Sequence, residues 1–230
     1  MLENKGRFHL LRLTVLFLFI LLQFYLIFVK KHDALDLDIA PNKDPTPPIY
    51  GIYQIGQTFI AKRDGLARID IMLGTHGRRN TGSLRFRLWE LGTPRQQRAD
   101  LTIEASEVKN NLYHALRFPP ISDSRDKTYY FLLAAPQASP DNCLSAWMND
   151  QNIYREGTYW FRDREAEGDL IFRVYSKRPV FTELGRIVRN YSGVFGSRTV
   201  LVFTIILFET AQVIMLWWLL GFIFRSREKE

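Results

Sequence analysis

The chain has 230 residues, a formal charge of +7 and one cysteine. That length suits one domain of ordinary size with extra segments, and a single cysteine excludes a fold held by internal disulfides. The excess of Lys and Arg comes without a basic stripe or a nucleic-acid motif, which sets nucleic acid aside as a partner.

Two apolar blocks stand at the ends. Residues 13–29, LTVLFLFILLQFYLIFV, carry no charge over 17 positions, near the lower limit for crossing a bilayer. The block is long for the apolar part of a signal peptide, and no small-x-small site follows it, so it reads as an uncleaved signal anchor. The second block, 201–224, holds 24 residues with one charge, Glu209, and at about 1.5 Å of rise per residue it spans a bilayer with some tilt. The expected order is a cytoplasmic tail over 1–12, a transmembrane helix over 13–29, a linker over 30–48 and an extracytoplasmic domain over 49–178. A juxtamembrane amphipathic segment over 179–198, a second transmembrane helix over 199–224 and a cytoplasmic tail over 225–230 complete it. Six basic residues flank the spans on each side, so the positive-inside bias does not orient the chain by itself. A short tail before a signal anchor stays inside, and long domains translocate regardless of charge, which puts the middle region outside.

The linker, KKHDALDLDIAPNKDPTPP, is polar and ends Pro-rich, as a semi-rigid spacer does. Strand patterns follow. Residues 50–61 are β-rich, Asp64-Gly65 turns, and LARIDIML at 66–73 alternates. A polar loop over Gly77–Gly82 leads to SLRFRLWE, with Leu84, Phe86 and Leu88 on one side and Arg85, Arg87 and Trp89 on the other. Leu101–Val108 and LYHALRF are further strands, the second stopped by Pro119-Pro120. KTYYFLLAA at 127–135 is nearly continuous apolar, as for a strand buried on both faces. A long loop covers 136–152. Then come a strand at Ile153–Phe161, a charged turn at Asp163–Gly168 and a last strand at Leu170–Tyr175. About eight short strands without helical period predict an all-β antiparallel sandwich of jelly-roll type, flanked by two transmembrane α-helices. After it, Phe181, Leu184, Ile187 and Val188 share one face of a short helix expected on the membrane surface.

HExxH, GxSxG and P-loop motifs do not occur, so no enzyme is expected. Asp163, Glu165, Glu167 and Asp169 form an acidic turn. Asp169, which opens the last strand, is the best candidate for a Ca²⁺ ligand; no other cofactor is implied. The aromatics suggest a sugar site, because sugars stack C–H faces on rings while polar side chains bond their hydroxyls. The candidate ligand-binding residues are Arg79, Asn80, Arg85, Arg87, Trp89, Trp147, Tyr154 and Trp160. The competing reading is core packing for the rings and cross-strand pairing with acids for the arginines. Tyr159 and Trp160 are adjacent in a strand, so at least one points inward. Glu209 and Gln212 form a polar stripe at membrane depth, expected to contact a partner protein, and Gln23 of the first span is within reach of it.

The order GQTFIAKRDGLARIDIML, GRRNTGSLRFRLWE, FPPISDSRDKTYYFLL, IYREGTYWF and GDLIFRVY, over residues 50–176, resembles a jelly-roll, carbohydrate-binding-module-like domain. Such domains occur in bacterial membrane proteins of surface-polysaccharide biosynthesis. The resemblance implies a two-pass protein of the bacterial inner membrane whose outer domain binds a glycan or glycan-lipid. A membrane glycosyltransferase or polysaccharide transporter would be its partner. The alternative is a structural subunit of a membrane complex with no sugar binding of its own.

Overall fold

The period-two patterns become strands of two antiparallel sheets. The computed structural model describes residues 2–41, 44–190 and 198–227. It divides into two units, one of residues 33–177 and one of residues 1–32 with 178–230. The strands in chain order are β1 (Lys31–Asp38), β2 (Asp44–Pro45), β3 (Ile55–Ile60), β4 (Leu66–Gly74), β5 (Ser83–Glu90), β6 (Gln96–Glu104) and β7 (Leu112–Ile121). They continue with β8 (Thr128–Ala134), β9 (Ser145–Asn149), β10 (Tyr159–Phe161), β11 (Arg164–Ala166), β12 (Asp169–Leu170) and β13 (Phe172–Pro179). One sheet runs β1-β13-β4-β9-β12, with β7 also on β4 and β2 on β9; the other runs β11-β10-β3-β8-β5-β6.

Inward residues of the two sheets meet in one core. Phe59 and Phe131 of the six-stranded sheet lie 5.8 and 5.2 Å, centroid to centroid, from Phe172 of the seven-stranded sheet. Phe86, Ile69, Ile71 and Leu73 join them, all fully buried. Each such side chain contributes about 1.5–3 kcal/mol of burial, which accounts for a stable sandwich without a disulfide.

Several expectations need correction. The predicted linker is not a spacer, because most of its first half is β1. The carboxylates that made it look solvated are ion-paired. Asp33 meets Lys177 at 2.7 Å, Arg68 at 3.3 Å and also Arg117, while Asp38 accepts from Arg173 at 3.0 Å. Those cations are far away in sequence, so the pairing was invisible there. Pro119-Pro120 does not stop β7. Among the described residues that strand pairs only with β4, and an edge strand tolerates residues that cannot donate to a ladder. The predicted loop 136–152 contains β9. The strand predicted at Ile153–Phe161 is ordered as one only over β10, and the one predicted at Leu101–Val108 begins five residues earlier, as β6. KTYYFLLAA is not buried on both faces: Tyr129, Phe131 and Leu133 are buried, while Tyr130 and Leu132 are half-buried on the outside.

The other unit is helical. Helix α1 (Leu2–Phe24) continues as one π turn over Tyr25–Val29, α2 is Val180–Asn190 and α3 is Arg198–Arg227. Two stretches are long and apolar enough to cross a membrane, Leu10–Val29 and Val202–Ile223. The Arg12 guanidinium covers the Trp217 ring at 4.1 Å and donates to the Trp217 carbonyl at 3.0 Å. Gln23 Nε2 donates to Gln212 Oε1 at 2.9 Å. The predicted amphipathic helix exists over 180–190. Phe181 packs on Phe28 at 4.9 Å, and Arg178 pairs with Glu183 at 2.7 Å. Residues 42–43 of the predicted linker, 191–197 of the juxtamembrane segment, 228–230 of the tail and the side chains of Ile187 and Val188 lie outside the described residues.

Candidate ligand platform on the six-stranded sheet

Alternation in β3, β5, β8 and β10 places one residue set on the outer face of the six-stranded sheet. Trp89 stands opposite Tyr130, and Tyr130 opposite Thr58. In the next row Trp160 stands opposite Gly56, and Gly56 opposite Leu132. The Trp89 and Tyr130 rings stack at 5.8 Å with 20° between planes, and Trp160 meets the Tyr130 ring edge-on at 6.2 Å. Gly56 is what lets Tyr130 lie flat. A Cβ on Gly56 would come within 2.5 Å of the Tyr130 hydroxyl oxygen and 2.7 Å of the Phe131 carbonyl oxygen.

Polar groups frame the rings. Arg95, in the β5–β6 connection, holds its guanidinium 4.3 Å above Trp89 and 5.3 Å from Tyr130, a cation–π arrangement that orients it toward the face. On the far side β10 and β11 join through Arg162 and Asp163, both in left-handed backbone with φ 51 and 60. Two-residue hairpins of this kind favour Asn and Gly, so this turn holds strain beside the platform. Asp163 Oδ1 accepts from Gln54 Nε2 at 2.7 Å. A cleft of about 200 Å³ opens between Arg95, Tyr130, Trp160 and Asp163. The Trp160 indole N–H is buried and has no acceptor among the described residues. Burial, with the nearby Asp163 carboxylate, pushes the Tyr130 phenol up to about 12 against the opposing Arg95 charge. Its hydroxyl therefore stays neutral, able to donate and accept.

The predicted residues divide. Trp89 and Trp160 share this face, whereas Tyr159 points into the core, 3% exposed. Arg85 and Arg87 are on the same face but engaged. Arg85 forks onto Asp100 through bonds of 2.7 and 2.5 Å, and Arg87 lies 3.8 Å from the same carboxylate. The hydrogen bond to Asp100 holds the Arg85 pKa above its ordinary value, and the same bond holds Asp100 below its own.

Tyr154 is a core residue, 7% exposed, whose hydroxyl accepts from the Ile60 N–H at 3.1 Å. Asn80 is buried and donates to the Thr75 carbonyl at 3.2 Å, while Arg79 is exposed in its loop. Trp147 belongs to the seven-stranded sheet.

Asp169 does not present itself to an ion. It is fully buried, taking the Gln57 amide at 2.9 Å and the Tyr154 N–H at 2.7 Å. Burial pushes its carboxyl above the usual range, against the pull of those donors. The described residues contain no group of three metal-binding side chains.

Neither Tyr130 nor Arg95 stands out in the sequence as a site residue. Tyr130 was hidden in an apolar run whose alternation only the burial reveals, and Arg95 follows an ordinary Gly-Thr-Pro turn. No protein-family model matches the chain, and no curated protein matches it.

Proposed function

We propose that this chain is a non-catalytic, membrane-anchored accessory protein whose sandwich holds a glycan or glycan-lipid during surface-polysaccharide assembly. The observation that carries this reading is the cluster of Trp89, Tyr130 and Trp160 beside the Arg95–Asp163 cleft, with an indole N–H that lacks an acceptor among the described residues. In the cleft the Tyr130 and Trp160 rings take the C–H face of a pyranose, and Arg95 and Asp163 bond its hydroxyls. In this reading the two spans lie in a bacterial inner membrane with the sandwich outside. The partner that acts on the ligand is a membrane glycosyltransferase or polysaccharide transporter. The orders β1-β13-β4-β7 and β3-β8-β5-β6 support a jelly roll, two Greek keys wound together, with β9–β12 inserted before its last strand.

The test is a glycan array probed with the full chain in lipid nanodiscs. A saturable hit is expected, weakened about tenfold by Trp160→Ala through loss of one buried ring contact. A folded protein that binds no glycan sinks the reading. A second reading, a structural subunit, is favoured by Glu209. This residue lines an apolar cavity of about 510 Å³ between α1 and α3 and has no hydrogen-bond partner among the described residues.

A further inference from the structure

A second recess lies on the seven-stranded sheet, where the end of β4 pairs with β9 through Leu73↔Ala146 and Gly74↔Ser145. Its volume is about 200 Å³. Gly74 makes the room. A Cβ there would stand 3.0 Å from Ser145 Oγ, 3.6 Å from Asn111 Oδ1 and 3.7 Å from Trp147 Nε1, so three polar atoms converge on bare backbone. Two of them are joined, Trp147 Nε1 donating to Asn111 Oδ1 at 3.0 Å. The third is not. Ser145 is 1% exposed, and its hydroxyl has no partner among the described residues. A buried hydroxyl left unpaired costs folding energy, so a ligand that bonds it recovers what the fold gives up.

The rim is equally specific. His76 and Asn111 both hold left-handed backbone, φ 55 and 57, a conformation that L residues with side chains adopt rarely. Asn110 gives its carbonyl oxygen to the Thr75 N–H at 2.8 Å, which fixes the amide at the edge. Partial desolvation, with Arg78 nearby, lowers the His76 pKa, so the imidazole is neutral at neutral pH. Among the described residues that line the recess none is charged. The lining itself offers an anion or a cation no counter-charge. An indole, two amides, a hydroxyl and a neutral imidazole suit a neutral polyhydroxylated ring, and the volume fits a small ligand rather than a chain.

We propose that this recess binds one neutral monosaccharide unit, with Trp147, Asn111 and Ser145 as its main contacts. None of these residues belongs to the Trp89–Tyr130–Trp160 face, so the two sites fail or stand separately.

The experiment is saturation-transfer NMR on the full chain in nanodiscs with D-glucose, D-galactose, L-rhamnose and N-acetylglucosamine, each also as its methyl glycoside. At least one sugar is expected to bind saturably, to be lost with Trp147→Ala and to keep its affinity with Trp89→Ala. Ser145→Ala should weaken it about fivefold, the value of one neutral hydrogen bond, while leaving Tm unchanged or higher. A purely structural serine would not produce that split. Gly74→Ala, which places a methyl against Ser145 Oγ, should also weaken binding. Binding of the methyl glycoside marks the ligand as the terminal unit of a glycan; binding of the free sugar alone marks it as free hexose. The proposal is overturned if no sugar binds, or if binding survives both Trp147→Ala and Ser145→Ala. It is also overturned if binding follows Trp89 instead.

Discussion

Asp163 and Asp169 look alike in the sequence, two carboxylates of one acidic turn, yet their chemistry diverges. Asp163 is exposed at the cleft in left-handed backbone. Replacing it with Gly relieves strain of about 1–2 kcal/mol but removes its bond to Gln54. Asp163→Gly is therefore expected to gain about 0.5–1 kcal/mol in denaturant melts while losing glycan affinity on the array; unchanged affinity would remove Asp163 from the site. Asp169 is fully buried and satisfies both Gln57 and the Tyr154 N–H. Asp169→Ala orphans two buried donors and should cost about 2–3 kcal/mol. A Tm that does not move with EDTA would agree with this structural role; a fall on chelation would restore Ca²⁺ to the discussion.

Strand β1 is where reading by composition misleads most. KHDALDLD is polar enough to pass for a tether, but on the edge of the seven-stranded sheet its acids meet cations from β4, β7 and β13. Hydrogen exchange should show 31–38 protected like β13; exchange at the rate of a free linker would contradict the pairing. Burial alone would raise the Asp33 carboxyl, but Lys177, Arg117 and Arg68 outweigh it and hold the group far below its ordinary 3.8. A carboxyl depressed in the fold stabilises fully above its unfolded value, and that contribution declines as pH falls through the range below it. Acidification below pH 3.8 should thus open β1 early, seen as faster exchange at 31–38. Asp33→Asn should lower Tm at neutral pH and weaken that acid response.

For the whole molecule, two helices long and apolar enough to cross a membrane raise the question of which side the sandwich faces. Cys143 is buried, 2% exposed, so a membrane-impermeant maleimide meets little native background. In intact spheroplasts, Arg79→Cys is expected to label before lysis, as an outward-facing sandwich requires; labelling only after lysis would reverse the orientation. Within the helical unit the Gln212 side-chain oxygen already accepts from Gln23, whereas Glu209 lines the apolar cavity with no hydrogen-bond partner among the described residues. Glu209→Leu should leave the sandwich's Tm unchanged and release a co-purified membrane partner. Retention of that partner would assign the cavity to lipid alone.

Strict alternation and two long apolar runs were enough to read strands, two long apolar helices and the core side of β5, because period and length are local properties of the chain. The same local signal placed Trp89 on an outer face and forced one of Tyr159 and Trp160 inward. It could not say which, nor that Tyr130 lies between Trp89 and Trp160, because cross-strand register is set by partners distant in sequence. Pairing likewise decided the roles of charged groups. For Arg85 and Arg87 the choice between a ligand and a neighbouring acid is made only when β6 brings Asp100 beside them, and Asp169 looks exposed until Gln57 closes over it. Which polar groups are spent and which are left for a ligand is a property of packing, and only the tertiary structure holds it.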